Sequence, residues 1–211
     1  MTAGGRTGRP PLTEERKAEI RLEIARAAVD LFVAQGVAAT TGEQIGQAVG
    51  VSARTVWRYF PSKEACVRPL FAAGIEAVAD CLRAWRPGQP LEEAFEHAVP
   101  TDSRLVRSSD RATMAALVRL TRVEPGLRAE WLQSYDEAEP AFARALADRC
   151  GLAADGLRPT IQAAMLNAAL RAAVEHYAWR VADETVDPVT AEAELTATMR
   201  SALAVAAEGL A

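Results

Sequence analysis

Hydrophobic residues recur every three to four positions along most of the chain, a spacing that predicts amphipathic α-helices rather than strands. Alanine, the best helix former, is abundant, and runs of β-branched residues are scarce. Glycine and proline interrupt the pattern and divide it into about nine helices. The longest are predicted over residues 63–83, 127–150, 157–183 and 189–208. We therefore expect an all-α protein.

Residues 40–64, TTGEQIGQAVGVSARTVWRYFPSKE, predict two short helices joined by a tight turn. Thr40 and Thr41 are each followed three residues later by Glu or Gln, the spacing of a capping box. Gly50 stands where a left-handed residue is wanted after the first helix. Ser52 can cap the second helix, which ends before a proline. This is the plan of a helix-turn-helix, whose second helix enters the major groove of DNA.

Side chains suited to base edges, sugars and phosphates are concentrated around that second helix. The candidate DNA-binding residues here are Thr41, Ser52, Ala53, Arg54, Thr55, Trp57, Arg58, Tyr59 and Lys63. Lys63 stands at the start of the following helix, where free backbone N–H groups favour a phosphate. A solvated amphipathic helix pair in another kind of all-α protein is the alternative interpretation.

Residues 1–12 are rich in glycine and proline and contain Arg6 and Arg9. This composition predicts a disordered basic arm, which next to a helix-turn-helix can enter the minor groove. An inert tail fits the same residues equally well.

The formal charge is −4 for the whole chain, but it is unevenly distributed. Through Lys63 there are nine Lys/Arg and six Asp/Glu, a balance of +3, whereas the remainder has fifteen and twenty-two, a balance of −7. A mildly basic first part on an acidic remainder fits a DNA-reading head on a body that does not bind DNA.

Several classes of protein are disfavoured by what the sequence lacks. No stretch approaches about 18 uninterrupted apolar residues, and the start has no apolar signal core, so we expect no membrane span and a cytoplasmic location. Three widely spaced cysteines predict reduced, half-buried packing residues. The two histidines, His97 and His176, accompany no catalytic, phosphate-binding or metal-binding motif, so we expect neither an enzyme nor a cofactor or metal site.

The run from residue 40 to 64 resembles the helix-turn-helix of the TetR family of bacterial transcriptional regulators. The matching positions are TT at 40–41, Ile45, GVS at 50–52, Thr55, Trp57, Tyr59, Phe60 and SKE at 62–64. Gly46 stands where alanine is usual, and Trp57 where tyrosine is common. The resemblance implies a three-helix head, residues 13–62, and a body, residues 63–211, that binds ligand and dimerises.

The same resemblance implies a homodimer that binds a palindromic operator and responds to a small-molecule effector, most often as a repressor. The helix from Lys63 to about Arg83 would transmit the signal from body to head. The last two helices are long and alanine-rich, so they can approach a partner closely and form the dimer interface, although alanines in an intramolecular core fit the pattern too.

The body segments LVRLTRVEPGLRAEW and AAMLNAALRAAVEHYAW are similar to a TetR subgroup with acyl-CoA-like or lipophilic effectors. The candidate ligand-binding residues are Trp85, Phe95, Met114, Leu117, Arg119, Trp131, Tyr135, Met165, Asn167 and Arg171. With Arg122, the polar members are suited to an anionic or carbonyl-bearing ligand. Core packing and structural ion pairs are the alternative roles for each.

Three other functions stay open at this point. The chain can be a small-molecule-binding all-α protein without DNA function, an all-α interaction module, or a transcriptional activator. The first two leave the gapless match over residues 40–64 unexplained.

Overall fold

The computed structural model describes residues 13–86, 89, 91, 108–153, 155–180 and 188–208, and within these ranges every regular element is helical. The elements are α1 (Glu14–Gln35), α2 (Gly42–Ala48), α3 (Ala53–Tyr59), a 3-10 turn (Glu64–Val67), α4 (Arg68–Ala84), α5 (Ser108–Leu120), α6 (Pro125–Cys150), α7 (Leu157–Arg180) and α8 (Pro188–Glu208). The all-α prediction is confirmed. The short helix predicted over residues 91–98 lies, beyond its first residue, outside the described ranges.

The turn chemistry read from residues 40–64 is confirmed in detail. Thr41 caps α2: its Oγ1 accepts from the N–H of Gln44 at 3.3 Å, and Gln44 Oε1 accepts from the N–H of Thr41 at 2.9 Å. Thr40 is buried instead and donates its hydroxyl to the carbonyl of Gly36 at 2.9 Å. Gly50 has φ +71°, which a residue without Cβ adopts freely.

The helix predicted to start at Lys63 begins later, at Arg68. A 3-10 turn precedes it, and Ser62 Oγ caps that turn by accepting from the N–H of Ala65 at 3.0 Å. Pro69 occupies the first turn of α4, where its missing N–H costs no helical hydrogen bond. Pro140 lies within α6, which continues as one helix through it.

Two hydrophobic cores hold the molecule together. The first joins α1, α2 and α3 to the 3-10 turn, the start of α4, α5, the first half of α6 and the end of α7. Its largest fully buried members are Phe32, Phe71 and Trp131. The second joins the end of α4 to the second half of α6, the first half of α7 and Leu203 of α8. Through this first core α4 and α5 pack directly on α1, and α6 packs on the 3-10 turn.

The three cysteines occupy different surroundings. Burial raises the pKa of the Cys66 thiol to about 12 and that of Cys81 to about 11, so both stay protonated packing residues. Cys150 is exposed at the end of α6, so the prediction of a half-buried cysteine is wrong there. No helix within the described ranges is long and apolar enough to cross a membrane.

Candidate nucleic-acid interface and ligand region

The second helix of the helix-turn-helix, α3, is fixed by one face and open on the other. Val56 is fully buried and Phe60 is 6% exposed, whereas Arg54 and Arg58 are exposed. Ser52 caps α3 by accepting from the N–H of Thr55 at 3.2 Å, and the two hydroxyl oxygens lie 3.0 Å apart. The cap therefore orients the Thr55 side chain at the start of the exposed face. Ala53 lies beside it, half-buried.

Trp57 projects from α3 across the beginning of α2. Its side chain is 44% exposed, yet the benzene part of its indole lies so close to Gly42 that a Cβ atom there would overlap it. Gly42 is the first residue of α2, directly after the capping Thr41. A glycine at this position therefore makes room for the indole beside the first helix of the motif.

Tyr59, the last residue of α3, is half-buried against the first core and has two arginines beside its ring. The guanidinium carbon of Arg58 lies 5.1 Å from the ring centroid, and that of Arg21, on α1, lies 5.4 Å from it. Both distances are those of a cation–π contact. Arg21 is not among the predicted DNA-binding residues, because nothing in linear spacing connects the middle of α1 to the end of α3.

Lys63 uses its ammonium group within the protein. Nζ donates to the carbonyl oxygens of Val37 at 2.5 Å, Ala38 at 3.3 Å and Thr40 at 3.3 Å. A lysine has three N–H donors, so this arrangement employs all of them. The ammonium thus braces the turn between α1 and α2 from the start of the connection to the body. The predicted phosphate contact of Lys63 stays a prediction that competes with these bonds.

Glu64 and Arg68, which follow Lys63 in the sequence, contact α6. Arg68 Nε donates to Glu130, and its guanidinium also lies 3.8 Å from Glu137. The hydrogen bond to Glu130 raises the pKa of Arg68 further. Glu64 packs against Gly126 at the first turn of α6, where a Cβ would approach the Glu64 Cγ to 2.9 Å. A carboxylate at that end of a 26-residue helix is favoured by the helix dipole.

A polar cluster lies between α6 and α7 in the body. One oxygen of Glu175 accepts from Arg128 at 2.5 Å and from Trp131 Nε1 at 2.9 Å, and Arg171 lies 3.5 Å from it. Burial raises the pKa of the Glu175 carboxyl, but the hydrogen bonds from Trp131 and Arg128 and the two arginine charges outweigh burial and hold that pKa below its usual value. Tyr135 stacks edge-on against Trp131, with ring centroids 4.6 Å apart.

Asn167 is the inner polar residue of α7, with 4% of its surface exposed. Its Nδ2 group donates to the backbone oxygen of Tyr135 and to Glu139 Oε1, both at 2.9 Å. Its Oδ1 atom has no hydrogen-bond partner among the described residues. Since both neighbours of the amide nitrogen are acceptors, the amide cannot be turned around to satisfy Oδ1. The Asn167 side chain therefore presents an unpaired acceptor and no free donor.

The remaining predicted ligand residues do not gather in one place. Arg119 donates to the carbonyl of Ala178 at 3.2 Å, and Arg122 lies 4.4 Å from the ring of Trp179. Leu117 is fully buried in the first core, with Met114 packed against that core. Trp85 contacts Arg149 at the end of α6, and Met165 is 40% exposed on the outer side of α7. Phe95 lies outside the described residues, as do the predicted DNA-binding residues Arg6 and Arg9.

An open groove of about 810 Å³ runs along the outer surface where α7 and α8 pack together. Small residues line it, including Ala168 and Ala172 of α7 and Ala197 of α8, together with Met165 and Val205. Leu157 and Ile161 extend the exposed apolar stripe toward the start of α7, with 76% and 48% of their surfaces accessible. Within the parts of the chain that the structure describes, no group of three or more His, Cys, Asp or Glu side chains is arranged to hold a metal ion.

Comparison with known proteins identifies both parts of the chain. A family model described as bacterial regulatory proteins of the tetR family matches residues 24–70, and a model described as the MftR C-terminal domain matches residues 89–211. The HTH-type transcriptional regulator TcmR of Streptomyces glaucescens is 34% identical over 165 residues, which are 75% of this chain and 73% of TcmR.

Solved structures share the fold at low identity. Salmonella enterica GusR superposes with a TM-score of 0.54 at 19% identity, over 92% of this chain and 97% of GusR. FadR of Thermus thermophilus, a TetR-family repressor solved with lauroyl-CoA, gives a TM-score of 0.51 at 20% identity, over 90% of this chain and 95% of FadR.

Proposed function

Since the chain belongs to the TetR family of bacterial transcriptional regulators, we propose that it is a repressor that holds a palindromic operator as a homodimer and leaves it when a small lipophilic effector binds. Ligand-responsive DNA binding that regulates transcription is the activity of this family. We assign DNA reading to residues 13–62, and effector binding and dimerisation to residues 63–211.

The exposed face of α3 carries the assignment of DNA reading. Arg54, Trp57 and Arg58 are exposed on a helix whose opposite face is fixed in the core, so they are free to meet base edges and phosphates. An arginine can form two hydrogen bonds with guanine in the major groove. We propose that Arg54 and Thr55 contact base edges, and that Trp57, Tyr59 and Thr41 contact the sugar-phosphate backbone of the DNA and position it.

A second copy of the chain is the occupant we propose for the groove between α7 and α8. The exposed positions Ile161, Met165, Ala168 and Ala172 follow one helical stripe, and small residues on α8 continue the surface. Helices that present alanines can approach closely, and two from each protomer make a four-helix interface. A two-fold dimer then presents two α3 helices to two half-sites about one helical turn apart, which predicts a palindrome.

Large apolar side chains and one unpaired acceptor support a lipophilic effector in the body. Trp131 of α6 contacts two aromatic rings. Its centroid lies 4.8 Å from that of Phe71 on α4 and 4.6 Å from that of Tyr135 on α6. The arginines predicted to meet an anion are engaged with a carbonyl, an aromatic ring or Glu175. The unpaired Asn167 oxygen favours an effector with a hydroxyl or N–H group, since a buried acceptor left unpaired costs about 1–3 kcal/mol.

Selection of bound duplexes from a genomic library, with the parent and with Arg54→Ala, tests this proposal. We expect the parent to enrich a palindrome and Arg54→Ala to lose about 1–3 kcal/mol of discrimination at one base position. Sedimentation at micromolar concentration should give a dimer, and Ala172→Glu should shift it toward monomer. A reporter gene under the selected operator separates repression from activation. A parent that enriches no sequence would favour a ligand-binding protein without DNA function.

A further inference from the structure

We propose that Arg21 of α1 is a second, independent contact to the DNA backbone, held ready by the ring of Tyr59. The inference rests on the DNA-binding function and adds a residue outside the helix-turn-helix to its interface. Three features of the structure carry it: the stacking geometry, the gathering of two cations at one ring, and the different surroundings of the other cations of α1.

The contact with Tyr59 places the Arg21 guanidinium beside the end of α3. Tyr59 is the last residue of α3 and packs, half-buried, against the first core. The Arg21 guanidinium carbon lies 5.4 Å from the ring centroid. A cation–π contact at this distance favours side-chain conformations that keep the guanidinium near the ring. The side chain therefore loses less conformational freedom when an anion binds.

The second cation at the ring, Arg58, makes this position unusual. Its guanidinium carbon lies 5.1 Å from the same centroid, so two positive groups share one aromatic side chain. Each guanidinium is attracted by the ring, and an anion that approaches this end of α3 is attracted by both positive charges. A DNA phosphate supplies that anion, and a planar guanidinium matches its oxygens with two parallel hydrogen bonds. In the proposed complex Tyr59 contacts the DNA backbone, so both guanidinium groups lie beside a proposed DNA contact.

The neighbouring cations of α1 are already neutralised by carboxylates of the same helix. Arg16 lies 2.7 Å from Glu19 and 3.7 Å from Glu23, and Lys17 lies 2.6 Å from Glu14. Arg21 belongs to neither set. The hydrogen bond from Lys17 lowers the pKa of the Glu14 carboxyl, and the charge of Arg21 adds only a smaller effect there. Arg21 thus directs its charge to the ring and to the surface beyond.

A salt series on duplex DNA tests the inference without knowledge of the operator. The probe is a mixed-sequence duplex of about 30 base pairs, with binding measured by anisotropy from about 50 to 200 mM salt. Each lost phosphate contact reduces the salt slope by about 0.9, so Arg21→Ala should reduce it by about 1.8 for a dimer with both heads engaged. The affinity ratio of parent to variant then narrows about 12-fold across that salt range.

Two controls separate a built contact from a general loss of charge. Arg16→Ala removes the same charge from the same helix, and Arg83→Ala removes it from α4, where the arginine is hydrogen-bonded to Asp80. We expect both to keep the parent slope. Arg21→Lys keeps the charge but not the planar stack, so it should keep most of the slope while binding more weakly. Circular dichroism melting shows that each variant is folded.

The outcomes are decisive. If Arg21→Ala keeps the salt slope of the parent, the inference is overturned while the DNA function stays intact. The same holds if Arg21→Ala and Arg16→Ala reduce the salt slope equally. A loss of melting temperature without a change of slope assigns Arg21 to holding α1 against α3 alone. A parent that shows no salt-dependent duplex binding contradicts the DNA function itself, which is a different result from any of these.

Discussion

Lys63→Met is the substitution that most directly separates two roles for one residue. Sequence position places Lys63 where a phosphate contact is expected, whereas the structure directs its ammonium to the carbonyl oxygens of Val37, Ala38 and Thr40. Methionine keeps the length and the apolar stem of lysine and removes only the charged donors. The variant therefore tests whether the ammonium serves the turn between α1 and α2 or the DNA.

The magnitude follows from the three bonds. A hydrogen bond that involves a charged group contributes about 1.5–3 kcal/mol. The bond to Val37, at 2.5 Å and part-buried, is the strong one, and the two at 3.3 Å are longer and partly open to water. We expect a total loss of about 2 kcal/mol in the free energy of unfolding. For a chain of this size that corresponds to a melting temperature lower by about 4–8 °C.

The assay combines stability with DNA binding at one protomer concentration, because dimers melt at concentration-dependent temperatures. Lys17→Met is the matched control, since Lys17 and Lys63 are the only lysines of the sequence. Lys17 is paired with Glu14 on the surface of α1, so its loss should leave the melting temperature unchanged. The same pair permits a direct test by amine acetylation, in which Lys17 should react before Lys63.

Either of two results would contradict the role of the Lys63 ammonium as a brace. If Lys63→Met melts with the parent and its salt slope on duplex DNA falls by about 0.9 for each head, the ammonium contacts phosphate and the three carbonyl bonds are incidental. If stability falls and the slope is unchanged, Lys63 is a positioning residue. Equal acetylation of the two lysines in the free protein would also contradict the brace.

Three further predictions concern close contacts and pH dependence. Gly46→Ala places a Cβ 2.7 Å from a backbone oxygen of the helix-turn-helix, so we expect the free energy of unfolding, measured in urea, to fall by about 1–2 kcal/mol. Gly74 has open space around it, so Gly74→Ala should instead stabilise α4 by about 0.5–1 kcal/mol. Equal effects of the two substitutions would contradict the close contact at Gly46. Gly42→Ala should weaken DNA binding by displacing the indole, and a Trp57→Ala background should abolish that effect; additive losses would contradict the contact. Glu175→Gln should destabilise most at neutral pH. Because the folded pKa of Glu175 lies below its ordinary value of 4.5, the stabilisation is present above that value and is lost as pH falls through the lower one, so melting curves of parent and variant should converge in acid.

Local signals in the sequence carried the fold and the outline of the DNA-binding motif. The capping box at Thr41 and the left-handed Gly50 are each set by residues close along the chain. Such signals act through steric and hydrogen-bonding preferences of a few neighbours, and a linear reading captures them. The departure of Gly46 from the usual alanine also has a local cause, since the turn that follows lies against it.

Contacts between distant segments were beyond that reading. Helical spacing shows that a residue lies on an apolar or polar face, but not which other helix covers that face. Arg68 meets Glu130 across 62 positions, and Lys63 meets Val37 across 26. For the same reason the predicted ligand residues separated: Trp131 and Asn167 face the contact of α6 with α7, whereas Met165 faces outward.

Helix α6 takes part in contacts both with α7 and with the start of α4. Its inner face holds Asn167 and Glu175 of α7, and its first half holds Arg68 through Glu130. An effector changes DNA binding only by as much as its affinity differs between two states of the protein, about 1–3 kcal/mol in most coupled systems. A displacement of α6 would carry Glu130 with it and change its charge-assisted hydrogen bond to Arg68. From Arg68 the 3-10 turn leads directly to the Lys63 brace on the turn before α2. We therefore expect the signal to enter the head at the start of α4, without requiring that helix to move as a whole.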